Sequence, residues 1–213
     1  MKLVIYGAGA VGIQIKEIAE CQNSWEEIIF IDDANDDKFF RGLKIFKFDD
    51  FIKKYNKDEV QIVIGVGDPK TREAIYNKII ENDYSLANVI HPNSYISKDA
   101  KLGSGVVVEM ASYIGFDVEI KDNVLISAGA CISHNCEIDS HSTVLGGIVA
   151  GNCKIGKSSL IGMGSVIREK TTIGDKVLVS MGSIVFNDIP SNMVVMGNPA
   201  RIIGENTGAA VFK

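Results

Sequence analysis

The apolar positions of this chain follow two rhythms. Over the first ninety residues, short apolar runs alternate with segments of helical spacing; from Ile96 onward an aliphatic residue returns every sixth position. It stands at Ile96, Leu102, Val108, Ile114, Ile120, Ile126, Ile132, Ile138 and Val144, then after one slip at Ile155, Ile161, Ile167, Ile173, Val179 and Val185. Four positions later the residue is usually small or β-branched, as at Ala100, Val106, Cys136, Ser142, Ser159 and Thr171. A helix needs spacings of three and four, and a plain strand a spacing of two. A return of six instead predicts a parallel β-helix, with short strands and turns stacked coil on coil. The competing arrangement, a β-sandwich with accidental spacing, would have to reproduce that return along the whole stretch. From Val144 to Ile155 the interval is eleven residues rather than twelve. Such a defect costs packing and often accompanies a loop or a site.

The first ninety residues read differently. Leu3–Tyr6 is a strand, Gly7-Ala8-Gly9-Ala10-Val11-Gly12 a glycine turn, and Ile13–Glu20 a helix with Val11, Ile15 and Ile18 on one face. A second strand, Ile28–Ile31, ends at Asp32 and Asp33; Asp50–Tyr55 reads as a short helix, and Val60–Ile64 as a further strand ending at Gly65-Val66-Gly67. Asp68 then caps a helix that starts at Pro69 and runs to about Glu81. Alternating strands and helices make a small parallel α/β sheet. The expected organisation is a half-Rossmann-like α/β domain over 1–90, a β-helix over 91–190 and a C-terminal cap over 191–213, with His91-Pro92 at the changeover.

The glycine turn suggests one chemistry. Gly7 permits a tight turn, Gly9 permits backbone approach, and the helix beyond offers unpaired N–H groups to an anion. Asp32 or Asp33 could accept hydrogen bonds from a ribose or base edge, or merely cap a turn. About ninety residues are too few for a two-half dinucleotide fold, so one nucleotide or nucleotide-sugar fits better, with Gly7, Gly9, Ala10, Asp32, Asp33 and Gly67 as candidate contacts. The glycines could equally serve only the turn and helix packing.

Composition narrows the class. The 213 residues are 46% apolar with a formal charge of -5, enough for a real core and without the basic run of a nucleic-acid footprint. Cys21, Cys131, Cys136 and Cys153 lack tight metal spacing and are expected as buried thiols rather than a disulfide framework. The opening apolar run is too short for a signal peptide, and no stretch reaches the length of a membrane span. The expected location is the cytoplasm, without membrane insertion.

Two of the three histidines fall in one stretch, Ser133-His134-Asn135-Cys136-Glu137-Ile138-Asp139-Ser140-His141, just before the slip. An imidazole can serve as a general base near neutral pH. At these residues, and at Gly7–Gly12, Asp32-Asp33, Gly65-Val66-Gly67-Asp68, His91-Pro92, Ala150-Gly151-Asn152 and Gly197-Asn198-Pro199-Ala200-Arg201, the chain resembles the bacterial hexapeptide-repeat acyltransferases. It looks most like the sialic acid O-acetyltransferase and nucleotide-sugar N-acetyltransferase group. The resemblance implies a left-handed β-helix, a homotrimer with active sites between chains, and acetyl-CoA as co-substrate with no metal required.

The resemblance also assigns residues. His134 matches the base that takes the proton of an acceptor amine or hydroxyl, and Asn135 stands where relatives often place an acidic orienting group. Asp139 is a substitute orienter. His141 corresponds approximately to a second histidine on the acetyl-CoA side, and Gly146 or Gly147 is expected to steady the oxyanion. Gly164, Gly182, Gly197, Pro199, Ala200 and Arg201 line the coenzyme site. Two other classes remain open: a non-enzymatic nucleotide-sugar sensor or scaffold, and a zinc-dependent β-helix hydratase using His91, His134 and His141.

Overall fold

The computed structural model describes residues 1–35 and 39–208; the end of the expected cap, 209–213, lies outside them. The first part is a five-stranded sheet formed by β1 (Lys2–Tyr6), β2 (Ile28–Ile31), β3 (Phe39–Phe40), β4 (Leu43–Phe46) and β5 (Val60–Ile64), in the order β3-β4-β2-β1-β5. All neighbours are parallel except β3 and β4. Helices α1 (Ala10–Gln22), α2 (Phe48–Lys54) and α3 (Pro69–Glu81) cover it. The short helix begins two residues earlier than its charge pattern suggests, because Phe48 is its buried anchor. Asp68 caps α3 by accepting the Thr71 N–H at 2.9 Å, with Pro69 in the first turn.

From Val89 the chain winds as a left-handed parallel β-helix, triangular in section, with two-residue strands on three faces. Val89–Ile90 already pairs with Val107–Val108, so the first coil opens just ahead of residue 91. Each second strand residue points inward, and Ile114, Ile126, Ile132, Val144, Ile161 and Ile167 are fully buried. The small positions stack beside them. Ser142, Ser159 and Ser165 are buried too, and each hydroxyl donates to a carbonyl on the next coil. The slip resolves into one missing turn residue: Thr143–Val144 is followed by Ile148–Val149 after Leu145-Gly146-Gly147.

The outward strand positions differ by face. On one face Val107 and Leu125 are buried in one apolar cluster with Leu3, Ile15 and other residues of the α/β domain. We call this the domain face. A second face carries Lys101, Glu119, Glu137, Lys154 and Thr172, a charged ladder open to solvent. The third carries Tyr95, Tyr113, Cys131, Ile148, Val166 and Ile184, of which Tyr95, Tyr113 and Ile148 are exposed although apolar. Met193–Gly197 extends the domain face beyond the last coil and turns back through a cis Asn198–Pro199 bond into Ala200–Glu205, which covers the sheet edge. Among the described residues no helix is long and apolar enough to cross a membrane.

The thiols are not uniformly buried. Cys136 and Cys153 are interior, Cys131 is half-buried on the apolar face, and Cys21 is exposed near the end of α1. Helical periodicity accounts for the difference: Cys21 lies off the Ile15–Ile18 stripe.

Candidate active site

Three histidines stand on three different corners of the prism. His91 follows the first domain-face strand, and its Nδ1 accepts the Asn93 N–H. His134 lies between the apolar-face strand Cys131–Ile132 and the charged-face strand Glu137–Ile138. His141 lies between Glu137–Ile138 and the domain-face strand Thr143–Val144. They do not converge as a ligand set, and among the described residues no cluster of His, Cys, Asp or Glu is gathered for a metal.

His134 is exposed and held on three sides. Its Nδ1 lies 2.9 Å from Asn135 Oδ1. With the amide oxygen as acceptor, the neutral tautomer that fits this contact carries its proton on Nδ1 and leaves the Nε2 lone pair free. The Phe116 ring, one coil earlier, stacks on one face of the imidazole at 5.1 Å and 8°. Gly151, one coil later, lies against the other face: a Cβ there would come within 2.7 Å of Cε1 and Nε2. Asp139, the substitute orienter, accepts from the Ser140 N–H instead, and the hydrogen-bond partner of the ring is Asn135. Asn135 has φ 57°, in the left-handed region where asparagine is among the best-tolerated residues.

His141 is placed otherwise. Its ring is 4% exposed, packs edge-on against Tyr76 of α3 and hydrogen-bonds through Nδ1 to Asn123 Nδ2 at 2.9 Å. Burial pushes its imidazole below the ordinary value, with Glu73 opposing and Lys157 and Arg72 reinforcing the shift. Asn123 also accepts the fully buried Arg72 Nη2 through both its carbonyl and side-chain oxygens, at 2.8 and 2.7 Å. Arg72 Nη1 binds the carbonyls of Ile64 and Val66, each at 3.0 Å. Within this chain His141 is thus part of the contact between α3 and the coils, away from His134. The physical reason is the coil length: seven residues advance the chain from one corner to the next.

Gly146, Gly147, Gly164 and Gly182 share the corner between the domain and apolar faces, on the opposite edge of the apolar face from His134. Gly147 is buried, whereas added Cβ atoms at Gly164 and Gly182 would meet nothing within 4 Å. Exposed Met163 and Met181 stand beside the latter two. Gly197, Pro199, Ala200 and Arg201 form the terminal hairpin, with Arg201 exposed.

In the α/β domain, Gly7–Ala10, Asp32-Asp33 and Gly65–Gly67 meet at the carboxyl ends of β1, β2 and β5, where strand order reverses about β1. Their roles divide. Gly7 has φ 122°, and a Cβ on it would lie 2.7 Å from the Gly65 carbonyl; one on Gly12 would lie 2.0 Å from the Gly7 carbonyl. These glycines make the turn fit. Gly9 and Ala10 are exposed, and Gly9 has open space around it. Asp32 receives the Ala8, Ala34 and Asn35 N–H groups, which closes the turn. Asp33 receives Tyr6 Oη, the Phe48 N–H and Lys78 Nζ. Partial burial would raise the Asp33 carboxyl, but the Lys78, Phe48 and Tyr6 hydrogen bonds outweigh it and hold it below the usual range.

A separate cleft of about 510 Å³ runs between α3 and the later coils, lined by residues such as Lys70, Glu73, Asn77, Lys176 and Asn192. It does not include His134. Phe116, Gly151, Arg72 and Asn123 are the contacts that sequence reading missed. The first two had a signal: they stand eighteen before and seventeen after His134, one coil on either side of the slip.

A left-handed β-helix of hexapeptide coils with a small glycine-turn α/β domain packed on one face is the fold of the hexapeptide-repeat acyltransferases. Comparison with known proteins carries this further. The family model described as the PglD N-terminal domain matches residues 2–79, and that of the GMPPB C-terminal domain matches residues 90–197. The acetyltransferase domain of PglB from Neisseria gonorrhoeae FA1090, solved with acetyl coenzyme A, is 30% identical. That match covers 95% of this chain and 98% of that one, at a TM-score of 0.90. PerB from Caulobacter crescentus, solved with CoA and GDP-perosamine, is 25% identical over 96% of this chain and 98% of that one, at 0.89. WeeI from Acinetobacter baumannii AYE is likewise 25% identical, over 95% and 100%, at 0.89. The chain belongs to the hexapeptide-repeat nucleotide-sugar acetyltransferases.

Proposed function

We propose that this protein transfers an acetyl group from acetyl-CoA to an amino or hydroxyl group of a nucleotide-linked sugar, with His134 as the general base. One observation carries the residue assignment: Nδ1 is tied to Asn135, leaving the exposed Nε2 as proton acceptor. Acetyl-CoA supplies the activated acyl group. Nε2 accepts the acceptor's N–H or O–H proton as the new bond to the acetyl carbon forms. The C–S bond then breaks, and the imidazolium returns the proton to the departing sulfur. Asn135 supplies orientation without the charge of a carboxylate, so it stabilises the imidazolium less than an acid would.

Further features support where the substrates go. The open Gly9–Ala10 backbone at the start of α1 suits a phosphate of the nucleotide, with Gly67 beside it; Asp32 and Asp33 shape that rim from within. The exposed apolar face suits packing by further copies of the chain. Its two edges carry His134 on one side and Gly164, Gly182 and their methionines on the other. A closed ring of three would bring one chain's imidazole toward its neighbour's glycine edge, and this is the arrangement we assign to the coenzyme groove.

The test is a thiol-release assay with acetyl-CoA against nucleotide sugars bearing free amino or hydroxyl groups. H134A is expected to keep its oligomeric state and lose at least about 10²-fold in turnover. Wild-type turnover by that variant refutes the base, and nucleotide binding without acetyl transfer across the panel refutes the activity.

A further inference from the structure

We infer that Phe116 and Gly151 are positioning residues that clamp the His134 imidazole between them, a role that rests on His134 being the base. Three observations converge. Phe116 lies parallel to the ring at 5.1 Å. The opposite ring face is covered by Gly151, whose missing side chain leaves only the space the imidazole fills: an added Cβ would sit 2.7 Å from Cε1 and Nε2 and 3.2 Å from Nδ1. The third is register. Cys131 and Ile132 pair forward with Ile148 and Val149, so with one turn residue missing the position stacked on His134 is Gly151 rather than Asn152.

The consequence is mechanical. The hydrogen bond from Nδ1 to Asn135 opposes rotation about χ2, because that rotation carries Nδ1 away from the amide oxygen. A single bond at one ring edge still lets the ring tilt and swing. Contacts against both faces restrict that remaining motion and hold Nε2 on one line. An apolar ring and a residue without a side chain do so without placing a side-chain donor beside Nε2. The slip therefore acts at His134 from a distance, by choosing which residue covers the imidazole.

Gly151 is outside the positive-φ region, so G151A carries no backbone strain, and its Cβ can fit only by displacing the ring. A displacement near 1 Å costs on the order of 10²-fold in kcat. F116L, losing one stacked contact, should cost roughly threefold to tenfold, and F116W should restore the lost rate. KM for acetyl-CoA and nucleotide sugar should stay within about twofold for all three, with Tm and oligomeric state retained. Wild-type kcat in folded G151A and F116L, with H134A inactive, overturns the clamp alone. Full activity of H134A overturns the base assignment beneath it. An equal kcat loss in F116L and F116W, or a loss expressed in KM, also overturns the clamp.

Discussion

Replacing Arg72 by methionine tests what joins the α/β domain to the β-helix. The guanidinium is fully buried, and burial pushes it down to about 9, so it remains charged at neutral pH. It makes four hydrogen bonds: to the carbonyls of Ile64 and Val66 at the end of β5, and to both oxygens of Asn123 on the coil. Bonds from a charged donor are worth about 1.5–3 kcal/mol each, or roughly 6–12 kcal/mol together. Opposing this is the desolvation of a guanidinium with no carboxylate partner, several kcal/mol in a protein interior. Methionine keeps much of the volume but leaves the acceptors dry and unpaired. The expected net loss is about 3–5 kcal/mol. For a chain of this size that is roughly a 6–20 °C fall in Tm. Urea unfolding of the assembled protein measures the free energy, and hydrogen exchange reports whether the loss begins at Gly65–Gly67. R72K should fare little better than R72M, since an ammonium cannot fork between four oxygens in fixed directions. A loss below about 1 kcal/mol in R72M would refute the reasoning, because the four bonds would then only balance desolvation.

Three further predictions concern His141 and two glycines of the turn, the glycines with opposite expectations. His141 titrates below its ordinary value because it is buried, so the unfolded chain binds more protons than the native one as pH falls through and below the usual histidine range. Its contribution is complete above about pH 6.5 and lost on acidification, and H141Q should flatten the fall of Tm between pH 7.5 and 5.5; an unchanged acid limb would mean another group controls it. In the glycine turn, G12A should destabilise strongly, since its Cβ meets the Gly7 carbonyl at 2.0 Å. G9A, with open space around it, should leave Tm within about 1 °C while raising KM for the nucleotide sugar several-fold; unchanged KM would remove Gly9 from the substrate site.

The β-helix was legible because its interior tolerates so little. A two-residue strand has one inward position, and stacking forces an aliphatic there on every coil, so the period survives whatever the surface carries. The three faces were less legible, since the outward residue of each strand follows what covers it rather than the winding. Tyr95, Tyr113 and Ile148 look like ordinary strand residues until they are found on one uncovered face. In the α/β domain β3 and β4 are not legible: Phe39–Phe40 is too short to show alternation, and Leu43–Phe46 has a lysine inside its apolar run. The distance of Asp32 and Asp33 beyond the glycine turn suits ligand contacts or a turn cap alike. That distance also lets Asp32 close the turn and Asp33 anchor Lys78, functions which the same spacing cannot tell apart.

The site exposes a general difference between nearness along a β-helix and nearness in space. Residues share a corner only when about eighteen apart, or seventeen across the slip. His134 and His141, seven apart, invite reading as one constellation, yet seven residues carry the chain around a full face to the next corner. Phe116 and Gly151 lie far from His134 in sequence and touch both faces of its ring. The slip was visible as an eleven-residue interval, but its meaning required the register. One deleted turn residue beyond Val144 changes which side chain stands above His134 on the following coil. A search for partners of a catalytic group in such a fold should therefore begin one coil away on either side, corrected for any slip between, before it considers the flanking residues. Asn135 is the exception that the geometry explains. The left-handed corner where it stands favours asparagine, and from there its amide oxygen reaches the neighbouring Nδ1 directly.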